Sequence, residues 1–322
     1  MTIKSILESF IQKGIIQEEQ ATLINEYERT KSFSIHRELR SILYLGITLF
    51  TTGIGILIYK NIDTIGHQAI IALIAGSILA CSYYLFKNRQ PFSRGIVTNP
   101  DQFSEYILIL NCTLFLILEG YLQYQYQFFG IRYGIAIFIP TILFFFCAYR
   151  FDNRAVLSMA ITGLASWLGL TISPLSILEK NDFTAPGIII TGIILGTALV
   201  AISWFSQKND MKSHFGFTYI LLGGNLAAIS GLAGLFSNEP KIIYFLITAA
   251  LCTYLIHNAR KNQSLLFLLM GVIYGYIAVT YAAFVFLPDS LLAGLSIFYF
   301  LFTSLGILFF LLNVKKILGL KK

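Results

Sequence analysis

The stretch GIIITGIILGTALVAISWF, residues 187–205, contains no charged side chain. As a helix rising about 1.5 Å per residue it is long enough to cross the roughly 30 Å hydrocarbon core of a bilayer. Nine further apolar blocks of similar length occupy 41–59, 68–86, 106–123, 133–149, 155–172, 215–236, 242–257, 264–287 and 291–313. Six prolines, Pro91, Pro100, Pro174, Pro186, Pro240 and Pro288, fall between blocks, where a missing N–H costs least. Pro140 alone lies inside one and is expected to kink the fourth helix. The chain reads as an all-α, polytopic integral membrane protein with about ten transmembrane helices.

Composition supports this reading. Of 322 residues, 56% are hydrophobic and 12% charged, about half the roughly 25% charged share of a soluble domain. Mean hydropathy is +0.73. An ordinary soluble enzyme, a coiled coil and a disordered chain are excluded. The net charge of +7 would suggest nucleic acid in a soluble protein. Here the cations lie between apolar blocks, so the implied partner is the lipid bilayer, and no nucleic acid is expected.

The cations also carry topology. Six precede the first block: Lys4, Lys13, Arg29, Lys31, Arg37 and Arg40. Alternate connections on that side hold Lys87, Arg89 and Arg94, then Arg150 and Arg154, then Lys208 and Lys212, then Arg260 and Lys261. The tail adds Lys315, Lys316, Lys321 and Lys322. Only Lys60, Arg132, Lys180 and Lys241 fall on the other side. The excess predicts that both termini are cytoplasmic.

Residues 1–38 form the sizeable polar segment and lack the continuous apolar core of a signal peptide. Ile3, Ile6, Leu7, Phe10 and Ile11 share one helical face, and Gly14 suits the position after the last turn. A second helix is expected from about Gln17 to Arg29, with Leu23, Ile24 and Tyr27 on one side. The expected organisation is a cytoplasmic amphipathic helical hairpin over 1–38, a ten-helix membrane domain over 39–314 and a basic tail over 315–322. The hairpin is a candidate docking element for a cytoplasmic protein partner.

Gly192 with Gly196, Gly224 with Ala228, and Gly271 with Gly275 are small residues four apart, a spacing that lets helix backbones approach. Packing within the chain is the expected use. Cys81, Cys112, Cys147 and Cys252 all lie inside apolar blocks, as small buried residues do.

Glu119 is the charged residue placed clearly inside a block, and a charge at mid-bilayer is a functional candidate. Asn111, two turns away on the same face, and Asn225 on the seventh block are its candidate polar partners. The competing reading sets Glu119 just below an aromatic belt of Tyr121, Tyr124 and Tyr126, from where it snorkels or pairs with Arg132. His36, His67, His214 and His257 lie near block ends without partners at ligand spacing, so interfacial solvation is expected and no metal is implied. Asp152 and Asp289 precede helices and are expected to act as N-caps. No H-E-x-x-H, G-x-S-x-G or phosphate-binding glycine loop occurs, so neither an enzyme nor a cofactor is implied.

Gly14-Ile15-Ile16-Gln17-Glu18-Glu19-Gln20 is followed by Leu43-Tyr44-Leu45-Gly46 opening an apolar span with Gly53 and Gly55, and then by Asn61 and Asp63. This order, over about residues 1–85, resembles the bacterial predicted-membrane-protein family called domain of unknown function 2157. Gln17 stands where that family has a small hydroxyl residue, and Ile62 where it has Trp. The resemblance implies a bacterial inner-membrane setting without an activity, and nominates Asn61 and Asp63 as site residues.

Two functions fit. The first is a carrier for a small or lipid-like molecule, with Tyr274, Tyr276 and Tyr281 available to line a cavity or to pack. The second is a non-catalytic scaffold or sensor whose N-terminal segment binds a partner. A cavity lined by polar groups and reaching Glu119, Asn111 or Asn225 favours the carrier; a solid bundle favours the scaffold. The topology is checked with reporters fused near Met1 and after Leu320. Both should score on the same, cytoplasmic face; opposite faces would refute the ten-span reading.

Overall fold

A computed structural model describes residues 10–11, 14, 17–30, 36–97, 103–130, 133–172, 183–286 and 288–319. Within these the chain forms α1 (Glu18–Thr30), α2 (His36–Ile65), α3 (His67–Lys87), α4 (Phe103–Tyr126), α5 (Tyr133–Phe151), α6 (Arg154–Ile172), α7 (Pro186–Lys208), α8 (Gly216–Ser237), α9 (Lys241–Lys261), α10 (Leu265–Phe286) and α11 (Asp289–Ile317). A 3-10 turn, Ser213–Phe215, precedes α8. Among the described residues nine helices, from α3 to α11, are long and apolar enough to cross a membrane. The first apolar block is the shorter stretch Ser41–Leu57 inside α2. The chain divides into two compact units, Met1–Ile56 and Leu57–Lys322.

In the first unit, α1 starts where expected. The Gln17 N–H donates to Gln20 Oε1 at 3.0 Å, and Glu18 and Glu19 sit in the first turn, where the helix dipole favours acids. Gly14 has φ +66, and its N–H donates to the Ile11 carbonyl at 2.9 Å. Only glycine adopts that backbone without cost, as the end of a preceding helix requires. The helix expected before it lies outside the described residues except for Phe10 and Ile11. Leu23 and Ile24 are exposed.

The second unit is a bundle of sequential antiparallel neighbours centred on α8. This helix packs tightly on α7 and α9 and also touches α6 and α10. Half of its apolar window is buried, more than in any other described span. The cause is its small residues. A methyl placed on Gly196 of α7 would lie 2.5 Å from the Gly223 carbonyl oxygen and 2.6 Å from the Ala227 nitrogen. On the other side, a methyl on Gly224 would lie 3.1 Å from Leu255 of α9. Gly271 of α10 comes equally close to α9, where a methyl would lie 2.9 Å from the Cys252 carbonyl oxygen. The small pairs therefore serve packing within the chain.

Two apolar clusters flank this centre. One joins α4, α5, α6 and α7 through Leu108, Phe144, Leu157 and Leu199. The other joins α8, α9 and α10 through Ile220, Leu255 and Phe267, and Leu318 closes it from beyond α11. The four cysteines are free thiols, with Cys112 and Cys252 buried. Pro186 is the first residue of α7, and Pro240 and Pro288 cap α9 and α11, the positions where a missing N–H is harmless. Asp289 is thus the first residue of α11 and not its cap.

Gly196→Ala should lower thermal stability by about 1–3 kcal/mol, because the added methyl meets backbone that cannot rotate away. Gly76→Ala, on a position with nothing within 4 Å, should melt like the wild type. Equal melting of the two variants in detergent would contradict the close α7–α8 contact.

Candidate functional site

Glu119 sits in the penultimate two turns of α4 and is buried, with 8% of its surface exposed. Neither carboxylate oxygen has a hydrogen-bond partner among the described residues. Arg132, its suggested partner, lies outside the described residues. The carboxyl lines a cavity of about 980 Å³ between α4, α5 and α6.

The cavity arises from unequal helix spacing. On α6, Gly163 packs directly against the Thr141 hydroxyl of α5, drawing these two helices together. In contrast, α4 packs on α3 and touches the α5–α6 pair more sparsely. The resulting cleft is lined on α4 by Glu119 and Gln123, on α5 by Thr141, and on α6 by Ser158, Thr162 and Ser166. The α6 residues recur every four positions, one polar stripe along a mostly apolar helix. That spacing was the available sequence signal for the site, and composition alone passes over it. Pro140 also lines the cavity from within α5.

The other candidates lie elsewhere. Asn111 donates from Nδ2 to Ser82 Oγ of α3 at 3.1 Å. Asn225 accepts from the Tyr274 hydroxyl of α10 at 2.5 Å and donates to the Leu221 carbonyl at 2.9 Å. Both amides tie helices together, and neither lines the Glu119 cavity. Asn61 and Asp63 fall in the last turns of α2, and their side chains lie outside the described residues. The ninth-block tyrosines also bond to neighbouring elements: Tyr281 lies 3.3 Å from Lys241 Nζ, and Tyr276 donates to Thr303 at 3.5 Å.

A second polar constellation joins three connections at one end of the bundle. Asp152 Oδ1 lies 3.1 Å from Lys212 Nζ and 2.6 Å from His214 Nε2. Its Oδ2 accepts the Val97 N–H at 2.6 Å. Lys212 Nζ also donates to the Gly95 carbonyl, and its backbone N–H to the Arg94 carbonyl. The Asp152 and Lys212 side chains are 2% and 1% exposed. Two expectations are corrected here. Asp152 is not the N-cap of α6, because Asn153 Oδ1 accepts the Val156 N–H at 3.0 Å and does that work. His214 is buried against Asp152 and is not solvated at an interface. Asp152 at φ +57 occupies a left-handed turn that Asp and Asn tolerate better than most residues. No group of three or more His, Cys, Asp or Glu that could hold a metal occurs among the described residues.

This knot has the geometry of a structural clamp. Asp152→Ala leaves the Lys212 ammonium buried without its carboxylate and should cost about 3–5 kcal/mol of stability. Adding Lys212→Met to Asp152→Asn should recover part of the loss seen in Asp152→Asn alone. Wild-type melting of Asp152→Ala would show that the ion pair carries no load.

No curated protein and no solved structure matches the chain. The match to a known family extends beyond the opening motif at 1–85 and takes in α4, α5, Glu119 and Asp152. Over residues 8–157 the chain matches the family model described as Predicted membrane protein (DUF2157).

Proposed function

We propose that the protein binds and carries a small or lipid-like molecule in the cavity between α4, α5 and α6. The observation that carries this reading is the Glu119 carboxyl, buried in that cavity with both oxygens unpartnered. An intramembrane carboxyl without a protein partner is costly, and its retention is accounted for by a ligand or a transported proton. The volume, about 980 Å³, suits a drug-sized molecule, for which pockets run roughly 300–1,000 Å³.

The lip of the cavity supports access from the lipid phase. Leu116 and Gly120 of α4 and Thr162 and Ser166 of α6 are exposed around it. A second, mostly apolar cavity of about 550 Å³ adjoins it between α6, α7 and α8 and shares Ser166 and Leu170. In this reading the protein resides in the bacterial cytoplasmic membrane with both termini inside, as the Lys and Arg distribution and the family resemblance suggest.

Purification in lipid-preserving polymer discs followed by native mass spectrometry tests the site. The wild type should retain a bound small molecule or lipid that Thr162→Phe loses, with both proteins eluting as the same species. Retention by both would remove the cavity as the binding site.

A further inference from the structure

The polar groups of this cavity are unevenly equipped for hydrogen bonding, and the imbalance specifies a ligand. The Gln123 amide is held at both ends: its Nε2 donates to the Gly130 carbonyl at 2.8 Å, and its Oε1 accepts the Phe129 N–H at 3.0 Å. The Thr141 hydroxyl donates to the Ile137 carbonyl at 2.7 Å, and the Ser158 hydroxyl to the Arg154 carbonyl at 3.0 Å. Each hydroxyl has spent its single proton and offers only lone pairs. Tyr124 and Gln127 are exposed at the mouth. Away from the Gln123 amide and the exposed Thr162 and Ser166 hydroxyls at the lip, the wall presents acceptors, led by both Glu119 oxygens. No Lys, Arg or His among the described residues lines the cavity to balance that carboxyl.

A buried carboxylate is tolerated when a cation or strong donors meet it. The remaining wall is largely apolar and shares Ser166 and Leu170 with the second cavity. We infer that the ligand is a lipophilic amine: one protonated nitrogen that donates to Glu119, on an apolar body that lies along α6 toward the second cavity. A fatty acid would set a carboxylate against Glu119 and is disfavoured by like charge. A fatty alcohol fits the apolar wall but brings no counter-charge. The inference rests on the cavity being the ligand site proposed above.

The test uses the full-length protein in phosphatidylcholine nanodiscs, with empty discs as the blank. Radiolabelled dodecylamine, dodecanol and dodecanoate are the probes. The wild type should hold dodecylamine about tenfold or more tightly than dodecanol, and dodecanoate weakest. Glu119→Gln should lose that preference while still binding dodecanol. Glu119→Asp, which keeps the charge, should retain the preference at reduced affinity. Equal affinity for amine and alcohol, or a preference that survives in Glu119→Gln, overturns the amine inference. If in that case dodecanol binding still falls in Thr162→Phe and Ser166→Leu, the cavity reading stands without it. If no probe responds to either of those two substitutions, both readings fall together.

Discussion

The second unit depends on how closely α7 and α9 approach α8. In lipid the hydrophobic effect does not press helices together, because acyl chains are as apolar as leucine. What remains is dispersion at short range, which falls away steeply with separation. Gly196, Gly223 and Ala227 remove the side chains that would hold α7 and α8 apart, and Gly224 and Gly231 do the same toward α9. Helix α8 thereby becomes the most buried span. Helices without such surfaces stay at the edge. None of the apolar window of α11 is buried.

The same rule explains why a cavity exists where it does. The Gly163–Thr141 contact pulls α6 onto α5. Toward this pair α4 presents bulkier groups, Leu116, Glu119 and Gln123, and does not close the gap. The polar stripe of α6, Ser158, Thr162 and Ser166, faces that gap. At one end of the bundle a different force acts. The Asp152, Lys212 and His214 side chains replace close backbone contact by charge and hydrogen bonds, and they join segments too irregular to interdigitate.

The spans were legible because bilayer thickness imposes their length on the chain. Block limits such as 155–172 and 187–205 differ from α6 and α7 by at most three residues. The turn at 150–154 was marked by its own polar residues. Gly192 and Gly196 were readable as packing surfaces, since few residue types permit such approach. Glu119 stood out as a charge in an apolar block, though not the cavity around it, because α6 supplies part of the wall from some forty residues away. The knot was hidden for a sharper reason. Locally Asp152 and Asn153 are both good N-caps, and only a partner sixty residues on decides that Asn153 caps while Asp152 pairs with Lys212. Asn111 and Asn225 were visible as intramembrane amides, but their neighbours Ser82 and Tyr274 determine that they tie helices together.

Lys212 and His214 follow α7, whereas their acceptor precedes α6 and the backbone groups they share belong to the stretch before α4. During synthesis Asp152 thus emerges long before the ammonium that neutralises it. Until α7 has been threaded and its trailing residues released, the carboxylate must stay hydrated at the membrane edge. The latch therefore ties together the connections that follow α3, α5 and α7, and it can close only once all three have been made.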